Sequence, residues 1–234
     1  MAILNSGNAK TRKGQKLGWK TYGIHFAPEK LSGFNVCKCA SLGCTSSCLN
    51  TAGRGAMSSV QRARIEKTRK FFLHKEAFMS ELFSEIRKAI RKAEKEKLNP
   101  CFRLNLTSDI PWENVRHDGV SVFEAFPNVR FYDYTKYADR MARFLAGELP
   151  ANYHLTFSRS ESNDPLVQAV MTSGGNVAVV FRKTLPKSWR GVPVVDGDET
   201  DLRFLDKQGV IVGLVEKGKA KKDNSGFVVE RGEE

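Results

Sequence analysis

Residues 153–181 read YHLTFSRSESNDPLVQAVMTSGGNVAVVF. YHLTF (153–157) has the makings of a strand, residues 165–172 of a helix, and VAVVF (177–181) of a fully apolar strand. Strand, helix, strand is the repeating unit of a parallel sheet with crossover helices. A strand without polar interruption suits a sheet covered on both faces.

The same alternation extends in both directions. CFRLNL (101–106) and VRFYDY (129–134) are expected strands. Residues 137–145 are an expected helix with Tyr137, Met141, Phe144 and Leu145 on one side. Further strands are expected at 192–195 and at 210–215 (VIVGLV), with a short connection near 188–192. Upstream, residues 57–97 carry Ile65, Phe72, Phe78, Leu82, Ile86 and Ile90 at helical spacing. That run exceeds one ordinary helix, so two are expected, with a break near His74-Lys75 and an end at Asn99-Pro100. A short strand at 21–26 closes on Ala27-Pro28. Six or seven strands fall short of a full eight-stranded barrel. The expectation is an α/β fold: a partial or irregular (β/α) barrel with parallel strands and a cysteine-rich cluster loop after the first strand. A doubly wound open sheet is the alternative.

The 234 residues, 41% of them hydrophobic, suit one folded domain better than two. Residues 1–20 read as a flexible basic arm, residues 21–230 as a single α/β domain, and residues 31–55 as the cluster loop within it. No apolar run approaches the ~20 residues that span a bilayer, and no secretory signal core is present. No membrane association is therefore expected, and a cytoplasmic location is. The formal net charge of +12, from 38 Lys+Arg against 26 Asp+Glu, favours an anionic partner such as nucleic acid. Lys10, Arg12, Lys13, Lys16, Arg54, Arg62 and Arg64 are its candidate phosphate contacts, continued by Lys67, Arg69, Lys70 and the basic segment 219–222. A solvated helix face is the competing reading of the same charges.

Four of the five cysteines lie within twelve residues, as Cys37, Cys39, Cys44 and Cys48, spaced C-x-C-x4-C-x3-C. An odd total argues against a simple disulfide framework, and clustered thiols in a reducing compartment are metal ligands. Four thiolates can complete a tetrahedral zinc site or hold an iron–sulfur cubane of the 4Fe-4S type. The spacing is not the paired C-x2-C of zinc ribbons, and iron–sulfur is preferred with zinc as the alternative metal. Gly43 and its small neighbours let the backbone wrap closely, and their N–H groups are candidate donors to inorganic sulfide. Cys101 reads as a small buried apolar residue.

In α/β folds function gathers where strands finish. Here the finishing residues are polar: Asn105, Thr107, Ser108 and Asp109; then Asp133, Thr135 and Lys136; then Thr156, Ser158 and Arg159. They are the candidate cofactor-binding residues, with Asp133 and Lys136 as polar anchors and Arg159 for a carboxylate or phosphate. Helix capping is the competing reading. Asp196, Asp198, Glu199 and Asp201 read as a solvated turn. His25 ends a strand just before the cysteine loop and is placed to approach the centre. No catalytic residue is assigned.

LNLTSDIPWE (104–113) and FYDYTK (131–136) resemble small phage-encoded proteins of the gene product 88 group, over about residues 20–230. The cysteine loop after the first strand, the long helical stretch and the run of β/α units are similar in organisation to the partial barrel of radical S-adenosylmethionine enzymes. That resemblance implies S-adenosylmethionine as a ligand and redox or radical chemistry; a nucleotide or nucleic-acid substrate would fit the positive charge, in the host cytoplasm for a phage-encoded chain. This sequence departs from that family's C-x3-C-x2-C, since Asn50 and Thr51 follow Cys48 where a third cysteine belongs. Four cysteines would saturate a cluster; three would leave an iron open. A cluster- or zinc-stabilised nucleic-acid-binding module and an accessory protein that binds a host factor are the non-catalytic readings.

Overall fold

A computed structural model describes residues 2–6, 12–230 and 232. Along the chain run β1 (Trp19–Gly23), α1 (Leu42–Ser46), α2 (Ser58–Leu73), α3 (Lys75–Lys95), β2 (Asn99–Arg103), β3 (Arg116–His117), β4 (Val120–Ser121) and α4 (Val122–Ala125). There follow β5 (Arg130–Thr135), α5 (Ala138–Leu145), β6 (Tyr153–Ser158), α6 (Asp164–Thr172), β7 (Val177–Phe181), β8 (Ser188–Trp189), β9 (Val192–Asp196), β10 (Ile211–Val215) and β11 (Val228–Val229).

The strand order is β1-β2-β5-β6-β7-β10-β9-β8, with β11 beside β7. The pairs β1–β2, β2–β5, β6–β7, β7–β10, β7–β11 and β9–β10 are parallel, and the β8–β9 hairpin and the separate β3–β4 hairpin are antiparallel. The order has two ends, β1 and β8, so among the described residues the strands form no closed barrel, in keeping with the expected partial one. The chain divides into two compact units, with β5 and β6 contributing residues to both.

The first unit comprises Met1–Lys38, Ser58–Asp133 and Leu149–His154. Its core is aromatic. Tyr22 stacks on Phe102 at 5.5 Å between ring centroids, Phe102 meets Phe131 at 5.5 Å, and Phe123 stacks on Tyr153 at 4.2 Å. α3 buries Phe78, Met79, Leu82, Phe83, Ile86, Ala89 and Ala93, the stripe that three- and four-residue spacing demands. Its end is a Schellman motif: the N–H of Leu98 reaches the Ala93 carbonyl and that of Lys97 the Glu94 carbonyl, with Lys97 at φ +56 where glycine is usual. The helix therefore stops before the expected Asn99-Pro100, and those two residues open β2 instead. The break at His74 falls where the sequence places it. α2 departs from expectation, burying Arg64, Lys67, Thr68 and Phe71 while Phe72 is exposed.

The stretch read as a basic arm contains ordered contacts. Ile3 is buried, the N–H groups of Ile3 and Leu4 donate to the Glu85 carboxylate at 2.7–3.1 Å, and Asn5 bridges to Gly23. β1 begins at Trp19, inside the expected arm, and stops at Gly23 rather than 26. Arg12, Lys13 and Lys16 are exposed, and Lys10 lies outside the described residues.

The second unit comprises Cys39–Met57, Tyr134–Glu148 and Leu155–Glu234. β7 is its hub. β6 pairs with the start of β7 (Phe157↔Val177, Ser158↔Ala178), and β11 pairs with its end (Val228↔Val180, Val229↔Phe181). After Ser158 the chain leaves the sheet and β11 takes over the place beside β7. β7 and β10 are buried nearly throughout, as their apolar runs require.

Candidate metal centre and strand-end clusters

The cysteine loop of the second unit is organised by one carboxylate. Ser41 caps α1, its Oγ accepting from the Cys44 N–H at 3.2 Å. The Ser41 hydroxyl donates to Glu161 Oε2 at 2.7 Å, and the Gly43 N–H donates to Glu161 Oε1 at 2.7 Å. A Cβ on Gly43 would sit 2.3 Å from Ser225 Oγ, 2.7 Å from Phe227 Cβ and 2.8 Å from Glu161 Oε2. Close approach, not backbone torsion, makes glycine necessary here. The Gly43 N–H, read from the sequence as a sulfide donor, is thus committed to Glu161, and the Cys44 N–H to Ser41. Cys39 is exposed, Cys44 and Cys48 are half-buried, and no disulfide joins any of the five cysteines.

Cys37 belongs to the first unit, its Sγ 3.9 Å from the Thr107 carbonyl and its N–H on Asn35 Oδ1 at 2.8 Å. Cys101 is fully buried with its sulfur 3.3 Å from Thr21 Oγ1, the structural residue the sequence suggests. Among the described residues, the group of three His, Cys, Asp or Glu ligand atoms within 4.8 Å of one another is Glu76, His117 and Asp118. Its carboxylates approach opposite nitrogens of the ring, Glu76 at Nδ1 (2.8 Å) and Asp118 at Nε2 (3.6 Å), so they do not converge on one point. The sulfurs of Cys39, Cys44 and Cys48 form no such group.

Three of the sequence-selected residues meet beside this loop. Lys136 Nζ donates to Ser158 Oγ at 2.6 Å and stands 5.7 Å from the centroid of the Phe227 ring. Arg159 donates to the Phe227 carbonyl at 3.1 Å and to that of Gly226, with Asp164 at 3.5 Å. Phe227 thus touches Lys136, Arg159 and the Gly43 site at once. Sequence reading missed it, and missed Glu161 as the loop's anchor. Glu161 stands in the strand-end run, but no local spacing ties it to a loop 118 residues earlier.

In the first unit the strand ends are closed. The Asn105 side chain uses all four of its hydrogen-bonding positions: Oδ1 accepts from Ser108 Oγ (2.7 Å) and the Ile110 N–H (2.9 Å), and Nδ2 donates to the Ile110 carbonyl (2.9 Å) and Asp133 Oδ2 (3.1 Å). Asp133, 1% exposed, also accepts from the Asn105 N–H at 2.8 Å and the Tyr153 hydroxyl at 3.0 Å. Thr107 donates to the Phe26 carbonyl at 2.7 Å, and the Asp109 N–H to that of Val36 at 2.8 Å. In the second unit, Thr135 Oγ1 accepts from the Tyr137 N–H and from Arg140, which fixes the turn that leads into α5. Thr156 is fully buried and its Oγ1 has no hydrogen-bond partner.

The basic residues divide by burial. Arg54 and Arg62 are exposed, whereas Arg64 and Lys67 are 8% and 5% exposed, which removes both from an open phosphate-binding face. Lys67 donates to the Ile3 carbonyl at 2.7 Å, and burial lowers its pKa to about 8. Burial, then the charges of Arg64, Lys67 and Arg103, push the His25 imidazole down to about 3 and keep it neutral. No helix among the described residues is long and apolar enough to cross a membrane.

Fold and clusters together define a mixed α/β protein with a mostly parallel sheet and a cysteine loop seated beside a strand end. Its family is defined by sequence: the Gene product 88 model matches residues 2–231, and the chain belongs to that phage protein family. No curated protein and no solved structure matches it.

Proposed function

We propose that the chain is an iron–sulfur protein, with a cubane cluster on the cysteine loop of the second unit, held by Cys39, Cys44 and Cys48. The observation that carries this reading is the loop: thiols outside any disulfide, not sealed in the core, on a turn that Glu161 fixes from below. The sequence spacing C-x-C-x4-C-x3-C, unlike the paired C-x2-C of zinc ribbons, supports a cluster over a single zinc. Such a cluster supplies one-electron chemistry. Lys136, beside Ser158 and Phe227, would hold an anionic group of a cofactor or substrate next to the loop, either the S-adenosylmethionine carboxylate that the radical-enzyme resemblance suggests or a nucleotide phosphate that the net positive charge favours.

The test is anaerobic purification with assay of iron, acid-labile sulfide and visible absorption. Iron and sulfide with a broad visible band are expected, and each of Cys39→Ser, Cys44→Ser and Cys48→Ser should lower the iron content. A colourless protein holding one zinc, or no metal after reconstitution, would overturn the reading.

A second reading, nucleic-acid binding, has one specific support. The segment after Cys48 packs against the turn Gly218–Lys222, with Gly218 next to Ala52. Exposed Arg54 therefore shares a neighbourhood with exposed Lys219, Lys221 and Lys222. Binding of single- or double-stranded DNA should fall steeply with salt and weaken when these residues become Ala. Salt-insensitive binding would count against it.

A further inference from the structure

α3 packs one face into the core of the first unit, and the opposite face of its second half carries charge of one sign. The buried stripe runs through Phe78, Leu82, Ile86, Ala89 and Ala93. At 3.6 residues per turn, the line facing away from that stripe passes through Lys88, Arg91 and Lys95, with Arg87 and Lys92 on its flanks. All five are exposed.

Two ordinary explanations cover only part of this row. Cations near a helix C-terminus interact with the macrodipole, but that effect fades within the last turn. Lys92 and Lys95 stand in that turn, whereas Arg87, Lys88 and Arg91 precede it. A solvated helix face usually mixes signs, with Glu and Lys four residues apart. Here Arg87 and Arg91, Lys88 and Lys92, and Arg91 and Lys95 are like-charged pairs at that spacing, which weaken a helix. The acids placed to offset them are engaged elsewhere. Glu81 pairs with Lys70, Glu85 takes the N–H groups of Ile3 and Leu4, and Glu96 pairs with Lys20. Among the described residues, Lys88, Arg91, Lys92 and Lys95 have no ion pair.

The row is also rigid. The helix is held along its length by its buried face and closed by the Schellman motif, and the Arg87 guanidinium is 5.7 Å from the centroid of the Phe126 ring. Lys88 to Lys95 covers about 10 Å of helix axis, the length over which one strand of B-DNA carries about three phosphates. α3 exposes no large apolar side chain, so this face has nothing to insert into a lipid surface. A rigid cationic row without an apolar companion complements a polyanion of regular charge spacing.

We infer that the exposed face of α3 contacts the backbone of duplex DNA, with Lys88, Arg91, Lys92 and Lys95 on phosphates and no base read. The inference rests on the nucleic-acid reading above. It assigns that binding to the first unit rather than to Arg54 and the turn Gly218–Lys222.

The full chain, titrated into a short fluorescein-labelled DNA duplex and followed by anisotropy, tests this. Four phosphate contacts predict a roughly hundredfold loss of affinity between about 50 and 200 mM salt. Lys88→Gln, Arg91→Gln, Lys92→Gln and Lys95→Gln combined should weaken binding by at least about tenfold at the lower salt and flatten the salt dependence. The like-charged pairs disappear with them, so the same variant should melt no lower than the parent chain, which separates a lost contact from a lost fold. Arg54→Ala with Lys219→Ala, Lys221→Ala and Lys222→Ala should leave most of the binding in place. Loss of binding in that second variant and not in the first overturns this assignment while the nucleic-acid reading stands. No binding of DNA by the parent chain overturns both. Binding to phosphatidylserine vesicles that needs the α3 cations, without binding to DNA, makes the face a membrane contact and overturns the inference as well.

Discussion

Two polar clusters at strand ends, one in each unit, look alike in sequence and differ in construction. Asn105, Ser108 and Asp133 close on one another and on Tyr153, leaving the Asn105 side chain no hydrogen-bonding capacity for anything else. Lys136, Ser158 and Arg159 are instead half-buried and gathered on Phe227, beside a loop of thiols. A saturated buried network sets the path of the chain. The second cluster sets a cation and an aromatic face beside the cysteine loop. Polar residues at strand ends are therefore built in more than one way, and a closed hydrogen-bond network is one of them.

The largest test is of the closed cluster. Asp133→Ala leaves the Asn105 N–H, its amide and the Tyr153 hydroxyl without their acceptor, at a cost of about 3–5 kcal/mol. Urea denaturation measures the loss. Iron per folded molecule should not change, and a loss of metal at undiminished stability would break the contrast. The first unit's sealed character also predicts acid sensitivity. Unfolded His25 binds a proton below about 6.5, while the folded ring resists it down to about 3. Unfolding therefore takes up a proton across that window. Stability is fully present above it and falls as pH drops through it, by up to about 1.4 kcal/mol per pH unit. His25→Gln should flatten that part of the stability profile.

For the second cluster the effect on stability is smaller and the effect on the centre larger. Glu161→Ala releases Ser41 and Gly43, with an expected cost of about 1.5–3 kcal/mol. Metal analysis should show several-fold poorer iron retention. Undiminished retention would separate the loop's anchor from its chemistry. The smallest change in stability is expected for Lys136→Met, within about 1 kcal/mol. That variant sharpens the comparison if it weakens binding of an anionic ligand while leaving the thermal midpoint in place.

The architecture was readable because apolar period and core coincide through most of the chain. β7 matches the expected VAVVF, and α3 buries Phe78, Leu82 and Ile86 as expected. α2 shows where that logic fails. Its buried face carries Arg64, Lys67 and Thr68 beside Phe71, and the backbone satisfies two of the polar three: Lys67 on the Ile3 carbonyl, Thr68 receiving the Ala27 N–H. A helix face that buries polar side chains leaves no apolar period to read. The β3–β4 hairpin did carry a signal that was passed over, Asp118-Gly119 with both residues at positive φ. β11 carried none, since two residues cannot establish a period. The cysteines declared themselves by density alone. Their supports, Glu161 and Phe227, are joined to the loop only by folding.

That separation also sets a timetable. Glu161 follows Gly43 by 118 residues, and Phe227 comes later still. At the usual pace of synthesis, about 5–20 residues per second, the thiols wait roughly ten seconds on the ribosome before the first part of their seat exists. During that interval they are open to stray metals and oxidants, and the loop can be set only after most of the chain has been made.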